Sequence, residues 1–142
     1  MAVNIEIKGV TTVSEKIEKL GKEMIDSAKK ALWECGGHLG NAAVNLAPVR
    51  TGDLRASMQV NGPDENGDQI DENGDQITVT VSFSTPYAVR MHEAYYNLGP
   101  TSSKAPGYDG EPVGRKYLER PLMKYAEKYK DILRTFIEGS LK

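Results

Sequence analysis

The sequence predicts an α+β domain: a small antiparallel sheet packed against a long N-terminal helix and a C-terminal helix, with a long acidic hairpin loop. Three observations predict it. Apolar residues recur every three or four positions from Ile17 to Leu46 and again from Leu122 to Phe136, the spacing of a helix face. They alternate in the segment Val3, Ile5, Ile7 and in two further runs, Ala56-Met58-Val60 and Val79-Val81-Phe83, the spacing of a half-buried strand. Between those two runs lies a tandem repeat, DENGDQI twice over at residues 64–77, too polar to enter a core.

Each element follows in order. The N-terminal alternation gives a short strand. The helix begins near Ser14, and its stripe of Ile17, Leu20, Met24, Ala28, Ala31/Leu32, Cys35, Leu39, Ala42/Ala43 and Leu46 stops at Pro48, which disfavours helical geometry in the residue before it. It is either continuous or broken near Gly21. Gly36, Gly37 and Gly40 each cost roughly 1 kcal/mol against alanine inside a helix. They signal either a close backbone approach, to the chain's own sheet or to another subunit, or a kink. Pairing residue 60 with 79, 58 with 81 and 56 with 83 sets every apolar residue of the hairpin opposite another.

Asn-Gly at 66–67 and at 73–74 each suits a type I′ turn, yet the apolar register centres the hairpin near residues 69 and 70. An extended loop over 61–77 is therefore expected. Thr85 is then expected to cap a short helix with Pro86 at its first position, bringing Tyr87, Ala88, Met91 and Tyr95 to one face; a strand through Val89 and Met91 is the alternative. Residues 97–116 hold four glycines and three prolines and read as irregular. The last helix starts near Pro121.

The chain of 142 residues suits one domain, 1–142, able to bury roughly 70% of its unfolded surface. No apolar run is long enough to span a bilayer, and the N-terminus shows no basic-then-apolar export pattern. The single cysteine, Cys35, excludes an intrachain disulfide and suits a reducing compartment. Net charge is −2, but the stretch between Arg55 and Arg90 carries six acids (Asp64, Glu65, Asp68, Asp71, Glu72, Asp75) and no base, leaving the rest of the chain at +4. That is not the balance of a dedicated nucleic-acid binder.

Chemistry-bearing motifs are sparse. Counted from Asp64, glycine falls at position 4 and position 12 is Asp75, whereas an EF-hand needs glycine at 6 and glutamate at 12. A solvated charged loop is the reading preferred over a metal- or ligand-binding module. His38 and His92 lack metal-ligand spacing, Cys35 lies on the apolar helix stripe, and the serines of TSSK have no nucleophile elbow or Ser-x-x-Lys spacing. No phosphate-binding glycine loop is present. No enzyme, cofactor or metal is expected.

The order of motifs is more telling. APVRTGDLRASM, then a strand pair, then PYAVRMHEAYYNLG, a Gly/Pro-rich loop and YLERPL opening a last helix resembles the head–tail joining, or tail-completion (neck), proteins of long-tailed double-stranded DNA phages. The resemblance covers residues 14–140 and rests on Ala47, Pro48, Thr51, Gly52, Leu54, Arg55 and Ser57, on Tyr87, Ala88, Glu93 and Gly99, and on Leu118 with Pro121. AYYNL stretches the glutamate-to-glycine interval, and the acidic repeat enlarges the hairpin loop. The resemblance implies a structural virion protein, made in the host bacterial cytoplasm. It would form a ring of six subunits that joins the head connector to the tail, with DNA passing through without sequence-specific contact and no membrane involved. Other neck and tail proteins are its implied partners, on the stopper or adaptor side and on the tail-tube or terminator side. A tail terminator or minor capsid component is the alternative.

Within this scheme Pro48 stops the helix, Thr51 caps the Gly52–Asp53 turn, Leu54 anchors it in the core and Arg55 is expected to pair with Glu93. Arg50 is the residue most free to touch a partner. The six acids of the repeat are the other candidate contacts, facing the lumen or, as preferred, outward to an axial partner.

Overall fold

A computed structural model describes residues 3–10, 15–62 and 76–140. The acidic repeat therefore lies almost wholly outside the described residues; of the 61–77 segment, Asn61, Gln76 and Ile77 are in strands. The elements are β1 (Val3–Val10), α1 (Glu15–Leu46), α2 (Asp53–Ala56), β2 (Met58–Asn61), β3 (Gln76–Phe83), α3 (Ala88–Glu93), α4 (Pro100–Lys104) and α5 (Glu119–Ser140). The class is the expected α+β one.

The sheet has three strands in the order β1-β3-β2. β3 is central and antiparallel to both neighbours, with Val3 opposite Phe83 on one side and Met58 opposite Phe83 on the other. The hairpin register differs from the expected one by two residues: Val60 faces Val81, and Ala56 belongs to α2 rather than to the strand. A slide of two leaves every side chain on its original face, so the apolar pattern cannot distinguish the two registers. On β3, Ile77, Val79, Val81 and Phe83 are all essentially inaccessible to solvent. They form the floor of the core.

α1 is unbroken over 32 residues, about 48 Å long at 1.5 Å per residue. Its buried face runs Ala28, Ala31, Leu32, Cys35, Leu39, Ala42, Ala43 and Leu46, and Ala47 just past its end is buried too. Two of its glycines make the helix-on-sheet packing close. A Cβ on Gly36 would lie 3.1 Å from methyls of Val60 and Val79, and one on Gly40 would lie 2.9 Å from the Met58 sulfur. Gly37 faces open space. The close approach is thus to the chain's own sheet.

α5 lies along α1, and Tyr117 and Leu118 in the turn before it close the core together with its Tyr129. It starts two residues before Pro121, which is fully buried in the first turn, where a missing N–H costs nothing. Between the helices, His38 is held by tyrosines: its Nδ1 is 2.8 Å from the Tyr129 hydroxyl and its Nε2 3.4 Å from that of Tyr108. Tyr125 packs edge-on against the same ring.

Candidate functional site

The most distinctive stretch of sequence, residues 47–57, leaves the end of α1 as a tightly held joint. The last carbonyls of a helix have no partners within it, and α1 has no basic residue in its last turn. Arg55 supplies what is missing. Its Nε donates to the Ala47 carbonyl at 2.9 Å and its Nη2 to the Asn45 carbonyl at 3.3 Å, placing a cation at the negative end of the helix dipole. The backbone N–H of Gly114 donates to the Leu46 carbonyl at 3.0 Å.

Pro48 is buried at the exit. Gly52 adopts φ +89, the left-handed region that glycine enters without penalty. The Thr51 hydroxyl accepts the Asp53 N–H at 3.4 Å, and Leu54 is buried beneath α2. Ser57 then ties the joint to the far strand: its Oγ donates to the Leu54 carbonyl at 2.7 Å and accepts the Ser84 N–H at 3.2 Å.

The second motif block docks onto this joint. Tyr87 precedes α3 and is partly exposed, and Ala88 is fully buried with its carbonyl accepting the Tyr117 hydroxyl at 2.7 Å. Thr85 does not cap α3 with its side chain; its carbonyl accepts the Ala88 N–H, and its Oγ1 is buried without a partner. Glu93 pairs with Lys116 rather than with Arg55, because Arg55 is already committed to backbone carbonyls eight and ten residues earlier.

His92, buried beside Glu93, accepts the Glu119 N–H on Nε2 at 3.2 Å, which leaves its Nδ1 proton facing Glu93 at 2.9 Å. Burial holds this imidazole below its ordinary pKa, with Glu93 opposing that shift. The bond from Lys116 holds the Glu93 carboxyl below the usual carboxylate range. Lys116 also bonds its backbone N–H to the His92 carbonyl, so this cluster fastens the 114–119 turn to α3. Arg115 stacks over Tyr95 at 4.1 Å.

Residues 97–116, expected to be irregular, contain α4. Its Ser102 is buried and grips the joint: the Ser102 Oγ accepts the Val49 N–H at 2.8 Å and donates to the Val49 carbonyl at 3.0 Å. Gly99 leads into α4 with extended backbone, and its carbonyl accepts the Ser103 N–H. Nothing in its conformation demands glycine; a Cβ there would meet no atom.

Between the two blocks runs an open groove of about 760 Å³ whose lining includes Arg50, Leu54, Tyr87, Arg90, Met91 and Tyr95. Arg50 and Arg90 are exposed and make no ion pair among the described residues; Asp53 is an exposed acid on the same lining. The two motif blocks are therefore the two walls of one depression. The sequence singles out Arg50 and sets Tyr95 on the face of a short helix, whereas α3 ends at Glu93 and Tyr95 lies exposed beyond it; Arg90 and the structural role of Ser102 carry no comparable sequence signal. The acids Asp64, Glu65, Asp68, Asp71, Glu72 and Asp75 lie outside the described residues. Among the described residues no cluster of three or more His, Cys, Asp or Glu side chains is placed to hold a metal. Burial pushes the Cys35 thiol up to about 11, which makes it a poor nucleophile.

These features define a small α+β domain with a surface groove lined by parts of both motif blocks. Residues 12–93 match a family model described as "Bacteriophage HK97-gp10, putative tail-component", and the chain belongs to this HK97-gp10-like family of phage tail components. The match takes in both groove walls as far as Glu93; Gly99, Leu118 and Pro121 lie beyond it. No curated protein and no solved structure matches the chain.

Proposed function

We propose that this protein is a structural component of the phage neck. Copies of it form a ring, six subunits in the number the resemblance implies, that joins the head connector to the tail around the DNA channel. Family membership over residues 12–93 carries this reading. The fold lends it support: Pro48, Thr51, Gly52, Leu54, Tyr87 and Gly99, six of the residues that carry the resemblance, line a partly apolar groove open to the surface, a form suited to a contact between subunits. A heterologous contact repeated by a rotation that divides evenly closes into a ring. With a net charge of −2, the protein would let DNA slide past without gripping it.

The test is light scattering on the purified protein with and without its tail, together with electron microscopy of the virion neck. A ring at the head–tail junction is the expected result. A stable monomer absent from purified virions would overturn the proposal.

A further inference from the structure

We propose that His38 is an acid-operated latch: when its imidazole takes up a proton, the 108–111 turn and residues 124–129 of α5 let go of α1. The latch is a property of the single chain, whether or not copies assemble into a ring. Its parts come from three places. His38 lies in the second half of α1, half-buried, and no carboxylate is bonded to it among the described residues. α5 brings Tyr129, whose hydroxyl is 2.8 Å from Nδ1, and Tyr125, whose ring stands edge-on at 4.8 Å. The turn brings Tyr108, with its hydroxyl 3.4 Å from Nε2.

This arrangement suits a neutral ring. A neutral imidazole has one donor and one acceptor, and a tyrosine hydroxyl can serve as either, so the two hydroxyls satisfy both nitrogens. A protonated ring has two donors. Both hydroxyls must then accept and send their own protons elsewhere. Tyr129 is buried, and its hydroxyl has no other partner among the described residues; a buried donor left unpaired carries its full desolvation cost.

The surrounding charge does not offset that loss. Burial disfavours the imidazolium and Lys128 adds to the effect. The Lys124 and Lys128 ammoniums of α5 stand 5.8 and 5.7 Å from the centre of the Tyr125 ring. Asp109 in the turn favours the imidazolium, but its carboxylate is already held by the Tyr125 hydroxyl and Lys124. Glu111 is held by Arg120 and Lys124, and Glu34, one turn back on α1, is exposed to solvent. The proton therefore binds more readily once the tyrosines have swung away. The closed form is fully favoured above the ordinary histidine value near 6.5 and loses ground as pH falls below it.

Cys35, three residues before His38, reports the opening. It is the only cysteine of the chain and is inaccessible to solvent, with its thiol 3.8 Å from the Tyr129 carbonyl. Lifting this part of α5 uncovers it. The test is labelling of Cys35 in the full-length chain with dithiodipyridine, a disulfide reagent that still reacts in mild acid, each rate being divided by that of glutathione at the same pH. Between pH 7.5 and pH 5 this ratio should rise severalfold, up to about thirtyfold, the limit for a group that titrates near 6.5 only in the open form. His38→Gln, which offers a donor and an acceptor but takes no charge, should hold the ratio flat, whereas His92→Gln should keep the rise. Circular dichroism checks that both variants fold. In the parent chain, hydrogen exchange corrected for its intrinsic pH dependence should quicken at pH 5 in residues 105–129 and stay slow in β3.

An unchanged ratio in the parent chain would overturn the latch. A rise that survives in His38→Gln would also overturn it, and its loss in His92→Gln would assign the opening to the cluster around Glu93 instead. Exchange that quickens equally in β3 would mean unfolding of the whole domain and would likewise rule the latch out.

Discussion

Substituting alanine for each of Gly36, Gly37 and Gly40 makes the same chemical change at three places in one helix, so the helix-propensity gain, roughly 1 kcal/mol, is common to all. What differs is the space. Gly37 faces none of the sheet, and Gly37→Ala should stabilise the protein by about 1 kcal/mol, or a rise of roughly 2–4 °C in Tm for a chain of this size. At Gly36 the new methyl would sit 3.1 Å from the branched Val60 and from Val79, which is fully buried in the central strand. β-branched side chains have little rotamer freedom with which to yield, and overpacking of this kind costs about 1–3 kcal/mol. Subtracting the shared gain leaves Gly36→Ala about 1 kcal/mol less stable than the parent, and about 2 kcal/mol below Gly37→Ala. Gly40→Ala should fall between them, because its nearest neighbour, the Met58 thioether at 2.9 Å, is flexible and only one Val60 methyl, at 3.1 Å, is stiff, against two branched valines at Gly36. Urea denaturation of the three variants at one temperature measures these differences. Stabilities of Gly36→Ala and Gly37→Ala within 0.5 kcal/mol of one another would refute the close helix-on-sheet approach.

Arg55→Ala should cost roughly 2 kcal/mol, since it strips charge-assisted bonds from two carbonyls at the end of α1, whereas Arg50→Ala should stay within about 0.5 kcal/mol; thermal melts compare them. Arg55→Ala and Glu93→Ala should be additive in a double-mutant cycle, and a measured coupling would restore the direct ion pair that the structure replaces. Ser102→Ala leaves both backbone groups of Val49 without their partner, a loss of about 1–3 kcal/mol, and hydrogen exchange should quicken at the Val49 amide before it does in α1. Burial lowers the pKa of His38, aided by Lys128 and opposed by Asp109, and burial likewise lowers that of His92. A depressed histidine pKa means that the unfolded chain takes up the proton first, so stability is full above the ordinary value near 6.5 and falls as pH drops below it. Urea midpoints at pH 7.5 and pH 5 should show that fall, and it should shrink in a His38→Gln variant.

The helices and the face of each strand were legible because their signals are periodic and local. The stripe on α1 could be placed from Ala28 to Leu46 because each buried residue sits three or four positions from the last. Register was not legible, because an alternating pattern slid by two residues is the same pattern, and the loop that decides it has Asn-Gly pairs that fit neither placement. The partner of Arg55 was misassigned for a related reason. A search for opposite charges finds Glu93, but the acceptors Arg55 uses are backbone carbonyls, which carry no residue identity. Ser102 escaped notice because a five-residue helix has no periodicity to read, and its hydroxyl acts on Val49, 53 residues away. The joint itself was recognised by its residue types, yet the groove it forms emerged only when Tyr87 and Arg90 were set beside it.

The N–H of Gly114 that meets the Leu46 carbonyl bears on how the chain comes to be folded during its synthesis. The stretch that marks the family ends at residue 93, but the exit of its long helix is completed by a residue that emerges later, and Val49 waits for Ser102. Tyr117, Leu118 and Tyr129 of the core arrive later still. A chain ending at Glu93 would hold the whole of the family match, and still lack the partners of the Leu46 carbonyl and of Val49 and the side chains that cover one side of α1. A fragment ending at Glu93 should therefore fail to fold by itself, as circular dichroism of the truncated chain would show, because residues 102–129 supply the contacts that close the core.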